Sequence, residues 1–236
     1  MVPTLHPLIR AARSVTDLFL PLCCPSCRST PLNPNEFLCM DCRTTLPFTR
    51  FEVLRGNSVE KLFWGRLPFS FASTKTYFID HSPIQHIVHA IKYQHHTSLA
   101  RCMGNLMGHR LCDPLMQHPI DLLIPMPLHR SKEKKRGYNQ AELLCTGLSE
   151  ATGIPIGNTC IQRNLKTATQ TKKSRTERWD NVRTAFPVDV PERFSNKHLL
   201  LVDDVITTGA SLEACGQTAL LHGAASVSFA GLAFTP

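Results

Sequence analysis

Two adjacent carboxylates follow an aliphatic run near the carboxyl end of the chain. Residues 199–202 read LLLV, and Asp203 and Asp204 come next. Five small residues follow two positions later, namely Thr207, Thr208, Gly209, Ala210 and Ser211. The pattern predicts a buried strand that turns into a helix. An aspartate that caps this helix would explain one acid, but not two.

These residue types suit a sugar phosphate. Backbone amides and hydroxyls at the start of a helix favour a phosphate group. Two carboxylates just before them can accept hydrogen bonds from vicinal sugar hydroxyls and can orient a hydrated Mg²⁺. The segment therefore predicts a site for a ribose 5-phosphate ligand.

Four of the ten cysteines form two CxxC pairs, with eleven residues between the pairs: Cys24, Cys27, Cys39 and Cys42. This spacing favours a closed structural zinc site over free thiols. Cys23 could replace Cys24 as a ligand, although only Cys24 has the two-residue spacing to Cys27. Residues 1–20 lack the cleavage site of a secretory signal, so we expect a cytoplasmic protein. In a cytoplasmic chain, ten cysteines argue against a disulfide framework.

Strand and helix patterns alternate from residue 120 onward. An apolar strand at 120–127 precedes a basic loop at 128–140 and a helix that ends on Gly153. A long basic segment, the strand at 199–202, a second helix and a strand at 226–234 complete the series. Alternation predicts an α/β fold with a parallel sheet flanked by helices, and ligands bind such sheets at the carboxyl ends of the strands.

The amino-terminal third is predicted to form a separate module. The residues Gly56, Asn57, Gly65 and Pro68 indicate a linker. We therefore expect residues 1–70 to hold an amino-terminal helix and the zinc module, and residues 71–236 to form the main domain. Residues 5–19 place apolar side chains at helical spacing, which favours packing on the protein itself over a peripheral membrane contact.

The net charge of +8 is concentrated in two segments. Segments 128–140 and 161–186 together hold twelve Lys and Arg and three acids, a net of +9, which leaves −1 for the rest of the chain. This distribution indicates an anionic partner. The sequence contains no run of 18 or more apolar residues, so it predicts no transmembrane helix.

The quoted segments resemble a known family. LLLVDDVITTGAS is similar to the motif with which type I phosphoribosyltransferases bind 5-phosphoribosyl 1-pyrophosphate (PRPP). IPMPLHRSKEKKRGYNQAELL, RNLKTATQTKKSRTERWDNVRTAF and the double CxxC resemble segments of the ComF family. The resemblance implies a phosphoribosyltransferase-like domain, an amino-terminal zinc module, and a role in DNA uptake during natural transformation, in the cytoplasm or at the inner membrane with the uptake machinery.

The resemblance also implies roles for residues. Asp203 and Asp204 would face the ribose with Mg²⁺ nearby, residues 207–211 the 5-phosphate, and Lys92 matches a family lysine. The pyrophosphate side would be formed by Arg136, Gly137, Asn139 and Gln140.

Single-stranded DNA is the expected macromolecular partner. Its phosphates would be bound by Lys132, Lys134, Lys135, Arg136, Lys172, Lys173 and Arg175, unless both basic segments serve only the pyrophosphate. No residue set indicates which base an enzyme would use. Three functions therefore stay open: a PRPP-binding accessory protein, a phosphoribosyltransferase with an unidentified acceptor, and a PRPP-sensing regulator.

Overall fold

The computed structural model describes residues 23–29, 31–33, 36–157 and 194–236. The predicted helix at 5–19 and the second basic segment, with Lys172, Lys173 and Arg175, lie outside these ranges. Within them, no helix combines the length and the apolar character that crossing a bilayer requires.

A four-stranded parallel sheet forms the centre of the molecule. Its strands are β1 (Ala72–Tyr77), β2 (Leu122–Pro125), β3 (His198–Ile206) and β4 (Ser226–Phe234). They lie in the order β1-β4-β3-β2, and every neighbouring pair is parallel. The predicted strand positions near 120, 199 and 226 are confirmed, as is the parallel α/β arrangement.

Helices cover both faces of this sheet. They are α1 (Met40–Thr44), α2 (Ser58–Lys61), α3 (Pro83–Tyr93), α4 (Thr97–Arg110), α5 (Cys112–Gln117), α6 (Arg130–Arg136), α7 (Gln140–Thr152) and α8 (Ala210–Leu221). One buried cluster contains Leu199, Leu201 and Phe229, whereas the other contains Leu200 and Val202 with residues of α3, α4 and α7. Consecutive β3 residues thus point to opposite faces, which explains why a strand covered on both sides is a continuous aliphatic run.

The linker prediction for residues 56–68 is wrong. Asn57 is buried and caps α2 by accepting hydrogen bonds from the amides of Val59 and Glu60. Phe63 is fully buried and stacks on Phe229 of β4 with ring centroids 4.2 Å apart. The glycines and the proline in this stretch mark turns of a packed segment. The proposed domain boundary at residue 70 stays a prediction.

Strand β1 was not predicted, because its central residues are polar. Ser73, Thr74, Lys75 and Thr76 are all buried. The strand pairs with β4, and the Thr76 hydroxyl donates to the carbonyl of Leu232 at 2.8 Å. Hydrogen bonds and cover from the preceding segment bury a sequence that would ordinarily be exposed.

The predicted basic loop at 128–140 contains a helix. Residues 130–136 read RSKEKKR, and most of these residues are good helix formers. His129 caps the helix by accepting from the Ser131 amide, and Gly137 ends it in the left-handed conformation at φ 79°. α6 therefore displays its cations on a short regular surface.

Candidate functional site

The four predicted cysteines converge at one point. Their sulfur atoms all lie within 4.8 Å of one another, and Cys24, Cys39 and Cys42 are buried. The sulfur atoms of Cys27 and Cys39 are 3.7 Å apart, close to the separation of about 3.8 Å expected for ligands at 2.3 Å from a tetrahedral zinc ion. The cluster contains Cys24, whereas Cys23 is exposed and forms an isolated antiparallel β-bridge with Pro31. The choice that the sequence left open is therefore decided for Cys24.

This cysteine knuckle, defined as Cys24, Cys27, Cys39 and Cys42, fits a structural zinc ion. Burial raises the pKa of the Cys42 thiol to about 12, with smaller contributions from the neighbouring cysteines, and a hydrogen bond with Ser26 opposes the shift. Zinc binds thiolates, so metal uptake must release protons. Four sulfur ligands would leave no position for a substrate, which is the arrangement of structural zinc sites.

Asp203 and Asp204 lie near the carboxyl end of β3, as predicted. The Asp203 carboxylate accepts the Asp204 amide at 2.8 Å, and the Asp204 carboxylate accepts the Val205 amide at 2.7 Å. Both acids are partly exposed and directly follow the four buried residues 199–202 of β3. These bonds orient the carboxylates by the local backbone before any ligand is present.

Asp204 also has a cation beside it. The Lys92 ammonium nitrogen lies 2.9 Å from Asp204 Oδ2, and the two side chains are only 22% and 14% exposed. The predicted hydrated Mg²⁺ therefore fits poorly at Asp204, because the carboxylate that would orient it is already paired with a positive charge.

Residues 207–211 form the predicted loop into a helix. Gly209 caps α8 with φ 71°, a conformation that favours glycine. A Cβ atom built at Gly209 would lie 3.0 Å from the Phe63 ring. The loop therefore rests on Phe63, a contact between residues 146 positions apart that sequence reasoning did not find. Thr207, Thr208 and Ala210 are exposed, so the loop faces solvent above this support.

The predicted pyrophosphate side is built where α6 meets α7. Arg136 donates to the Gln140 side-chain oxygen at 2.7 Å. Asn139 is buried and caps α7 through the Ala141 amide, while its amide group donates to the Met126 carbonyl at 3.0 Å. Since both ends of the Asn139 side chain are engaged, we assign it a positioning role. Gly137 provides the turn between the two helices.

One cleft of about 170 Å³ collects seven of the twelve residues predicted to bind PRPP, together with Lys132. We call it the carboxyl-edge cleft, and its lining includes Lys92, Lys132, Arg136, Asn139, Gln140, Asp203, Asp204 and Ser211. Lys132 was predicted for DNA alone, yet it lines the same cleft as the acids. Five residues predicted to bind PRPP do not line this cleft, namely Gly137, Thr207, Thr208, Gly209 and Ala210. Of the residues predicted for DNA, Lys135 lines a neighbouring cleft, whereas Lys134 lies on α6 outside both.

The neighbouring cleft has a volume of about 310 Å³ and shares Lys92, Lys132 and Arg136 with the first. It adds Tyr93 and His95, which the sequence analysis did not assign to the site. The Tyr93 side chain is exposed, and the Arg136 guanidinium lies 5.2 Å from its ring centroid. The sequence KYQHH could have indicated these two residues, because it places an aromatic residue among basic residues, as nucleic-acid binding surfaces do.

A larger depression lies elsewhere on the described part of the chain. It has a volume of about 660 Å³ and lies at the amino end of β1, between residues 51–55 and α5. None of the predicted site residues lines it. We therefore place the candidate site at the smaller cleft, where the charged side chains converge.

Comparison with known proteins shows that the chain is similar to curated proteins named for competence and for DNA utilization. The chain is 32% identical to Competence protein F of Haemophilus influenzae over 155 residues, which cover 64% of this chain and 68% of the relative. It is 30% identical to DNA utilization protein YhgH of Escherichia coli strain K12 over 149 residues, which cover 61% of this chain and 64% of that protein. No family model matches the chain.

Among solved structures, the chain is similar to an allosteric regulatory enzyme of purine biosynthesis. The identity is 19%, the TM-score is 0.40, and the match covers 61% of this chain and 30% of the enzyme. Because the TM-score lies below 0.5, this likeness supports no conclusion about the chain.

Proposed function

Because the chain belongs to the family of Competence protein F, we propose that it acts in DNA uptake and binds PRPP in the carboxyl-edge cleft. One observation carries the PRPP proposal. Two oriented carboxylates, three cations and the Ser211 hydroxyl at the start of α8 line a single cleft at the carboxyl edge of a parallel sheet. Ligands of α/β sheets bind at this edge.

The charge pattern suits a ligand that has phosphate at both ends. The start of α8 offers backbone amides for a 5-phosphate. Asp203 and Asp204 offer acceptors for the two ribose hydroxyls. Lys132 and Arg136 on α6 lie across the cleft, where a pyrophosphate would need cations.

Direct titration with PRPP tests this proposal. Asp203→Ala combined with Asp204→Ala should lower PRPP affinity at least a hundredfold, because the ribose loses both acceptors. Asp203→Asn with Asp204→Asn, which keeps the side-chain volume, should have the same direction of effect. Asp113→Ala on α5, outside the cleft, is the control and should bind as the wild type does. Unchanged affinity in a folded double variant would refute PRPP binding at this site.

The same cations make the surface suitable for single-stranded DNA. Lys132, Lys135 and Arg136 lie beside the exposed ring of Tyr93. The cations would bind backbone phosphates, and a base would stack on the Tyr93 ring. Binding should weaken with salt, at a log-log slope of about −0.7 per neutralised phosphate.

Charge reversal on α6 tests the DNA proposal. Lys132→Glu combined with Lys135→Glu should weaken single-strand binding at least tenfold, measured by fluorescence anisotropy. The control Lys61→Glu with Lys197→Glu makes the same change in net charge on α2 and at the amino end of β3. Equal losses in the two pairs would mean that only net charge matters, which would end the proposal. Competition between PRPP and DNA is expected, because the two clefts share three cations.

A transferase is the second candidate, and the cleft containing Tyr93 is the observation that favours it. A planar acceptor base could lie there beside PRPP. Pyrophosphate release with a panel of bases distinguishes this function from an accessory protein or a sensor, neither of which would release it.

A further inference from the structure

We propose that the Lys92 ammonium group takes the place of the divalent cation beside Asp204, so that PRPP binds this cleft without Mg²⁺. This inference rests on the proposed PRPP binding and narrows it. It assigns Lys92 a role that the motif around the two acids does not contain, because Lys92 lies more than a hundred residues earlier in the chain.

The fold holds Lys92 firmly at this place. It belongs to the last turn of α3, and its neighbour Ile91 is buried with Ile87 in the core. α3 covers the sheet face to which Leu200 and Val202 point, and Asp204 follows them by strand alternation. A cation is also favourable at the carboxyl end of a helix. The ammonium group therefore reaches Asp204 from a packed helix rather than from a loop.

The contact leaves capacity for a ligand. An ammonium group has three donors, and the contact with Asp204 at 2.9 Å uses one of them. A carboxylate oxygen can accept a second hydrogen bond, so a ribose hydroxyl can bind Asp204 while Lys92 stays in contact. Lys92 would then hold a ribose-binding acid and face an anionic group of the ligand at once.

The net charge of the cleft also supports Lys92 as the substitute for Mg²⁺. Lys92, Lys132 and Arg136 oppose Asp203 and Asp204, which gives a net charge of +1 for the five ionised side chains of the lining. Without Lys92 this sum would be zero. In a cleft without such a lysine, Mg²⁺ would have to supply the positive charge beside the acids. Here a side chain supplies it.

Titration with PRPP in Mg²⁺-free buffer tests the inference. The buffer is cleared of divalent ions with a chelating resin before the protein is added, because a soluble chelator would compete for zinc in the cysteine knuckle. Wild-type affinity for PRPP should change less than threefold when millimolar Mg²⁺ is added. Lys92→Gln should bind at least tenfold more weakly without Mg²⁺ and should regain most of this loss when Mg²⁺ is present.

The control is Lys197→Gln, which removes a lysine at the amino end of β3, the end of the strand opposite to the cleft. It should behave as the wild type under both conditions. Thermal unfolding of each variant establishes that it is folded, and recovery of binding by Lys92→Gln in Mg²⁺ establishes that its cleft is intact.

The possible failures are distinct. A wild type that binds PRPP only with Mg²⁺ would overturn the role of Lys92 and leave the proposed function standing. The role of Lys92 is also overturned if folded Lys92→Gln matches the wild type under both conditions, or if Mg²⁺ does not rescue it. Absence of PRPP binding with and without Mg²⁺ would refute the proposed function itself.

Discussion

The cysteine knuckle and the carboxyl-edge cleft differ in how they are assembled. All four thiols of the knuckle lie within residues 24–42. The cleft takes its side chains from α3, α6, α7, β3 and α8, between residues 92 and 211. The knuckle can therefore form from local turns and one ion, whereas the cleft exists only once the sheet and its helices have packed.

This difference has consequences for substitutions. Loss of one ligand should disrupt the knuckle as a whole, because a small module without its ion buries too little apolar surface. Loss of one charged cleft residue should change binding and leave the sheet folded, because the core clusters on either side of the sheet contain none of these charged side chains.

The largest expected effect breaks the knuckle alone. Cys27→Ser should remove zinc and lower solubility together, since structural zinc sites contribute roughly 10–16 kcal/mol of apparent binding free energy. Metal analysis should find about one zinc per wild-type chain and less than about a tenth in the variant. Cys23→Ser is the matched control, because Cys23 is adjacent in sequence yet outside the cluster, and it should retain full zinc. Full zinc in Cys27→Ser would contradict the assignment.

Gly209→Val should disrupt the carboxyl-edge cleft by displacing the loop at residues 207–211. A valine at φ 71° is strained, and its Cβ would lie 3.0 Å from the Phe63 ring, so the loop must move away from its support. PRPP affinity should fall at least a hundredfold, with a modest decrease in the midpoint of thermal unfolding. Gly153→Val, at the end of α7, has a similar positive φ of 75° and open space around it. Gly153→Val should lower stability without changing PRPP affinity. An equal loss of PRPP affinity in Gly153→Val would show that backbone strain in general, and not the loop at Gly209, is responsible.

The smallest effect concerns a second lysine and sharpens the comparison with Lys92. Lys75 in β1 is 6% exposed, and its ammonium donates to the Leu106 carbonyl at 3.3 Å and lies over the Phe48 ring. Burial lowers its pKa from 10.5 to about 8, with a further lowering by Arg110 and an opposing effect of Glu52. Below pH 8 both folded and unfolded chains carry this proton, so the full cost of burying the charge is present.

Between pH 8 and 10.5 the folded chain loses the proton first, so the free energy of unfolding rises with pH. Lys75→Met should therefore be more stable than the wild type at pH 7, by up to about 3 kcal/mol, and the difference should shrink toward pH 10. Denaturant unfolding at both pH values measures this. A difference that does not depend on pH would mean that packing, and not the charge, sets it.

Much of the fold follows from periodicity in the sequence. The aliphatic runs of β2, β3 and β4 predicted buried strands, and the glycine after α7 marked its end. β1 was not predicted, because Ser73, Thr74 and Thr76 are polar and their burial depends on pairing with β4. The segment with Phe63 looked like a linker because turn residues surround an anchor whose partner, Phe229, lies 166 positions later.

The sequence by itself determined the cysteine spacing and the order of acids, hydroxyls and glycine around β3, because short-range geometry is set by the spacing of residues along the chain. Only the tertiary structure decided that Lys92 pairs with Asp204, that Tyr93 lies against Arg136, and that Phe63 supports the loop at Gly209. These contacts depend on where α3, α6 and the segment after α2 cross the sheet. Such crossings arise from the packing of two whole cores, which no short motif encodes.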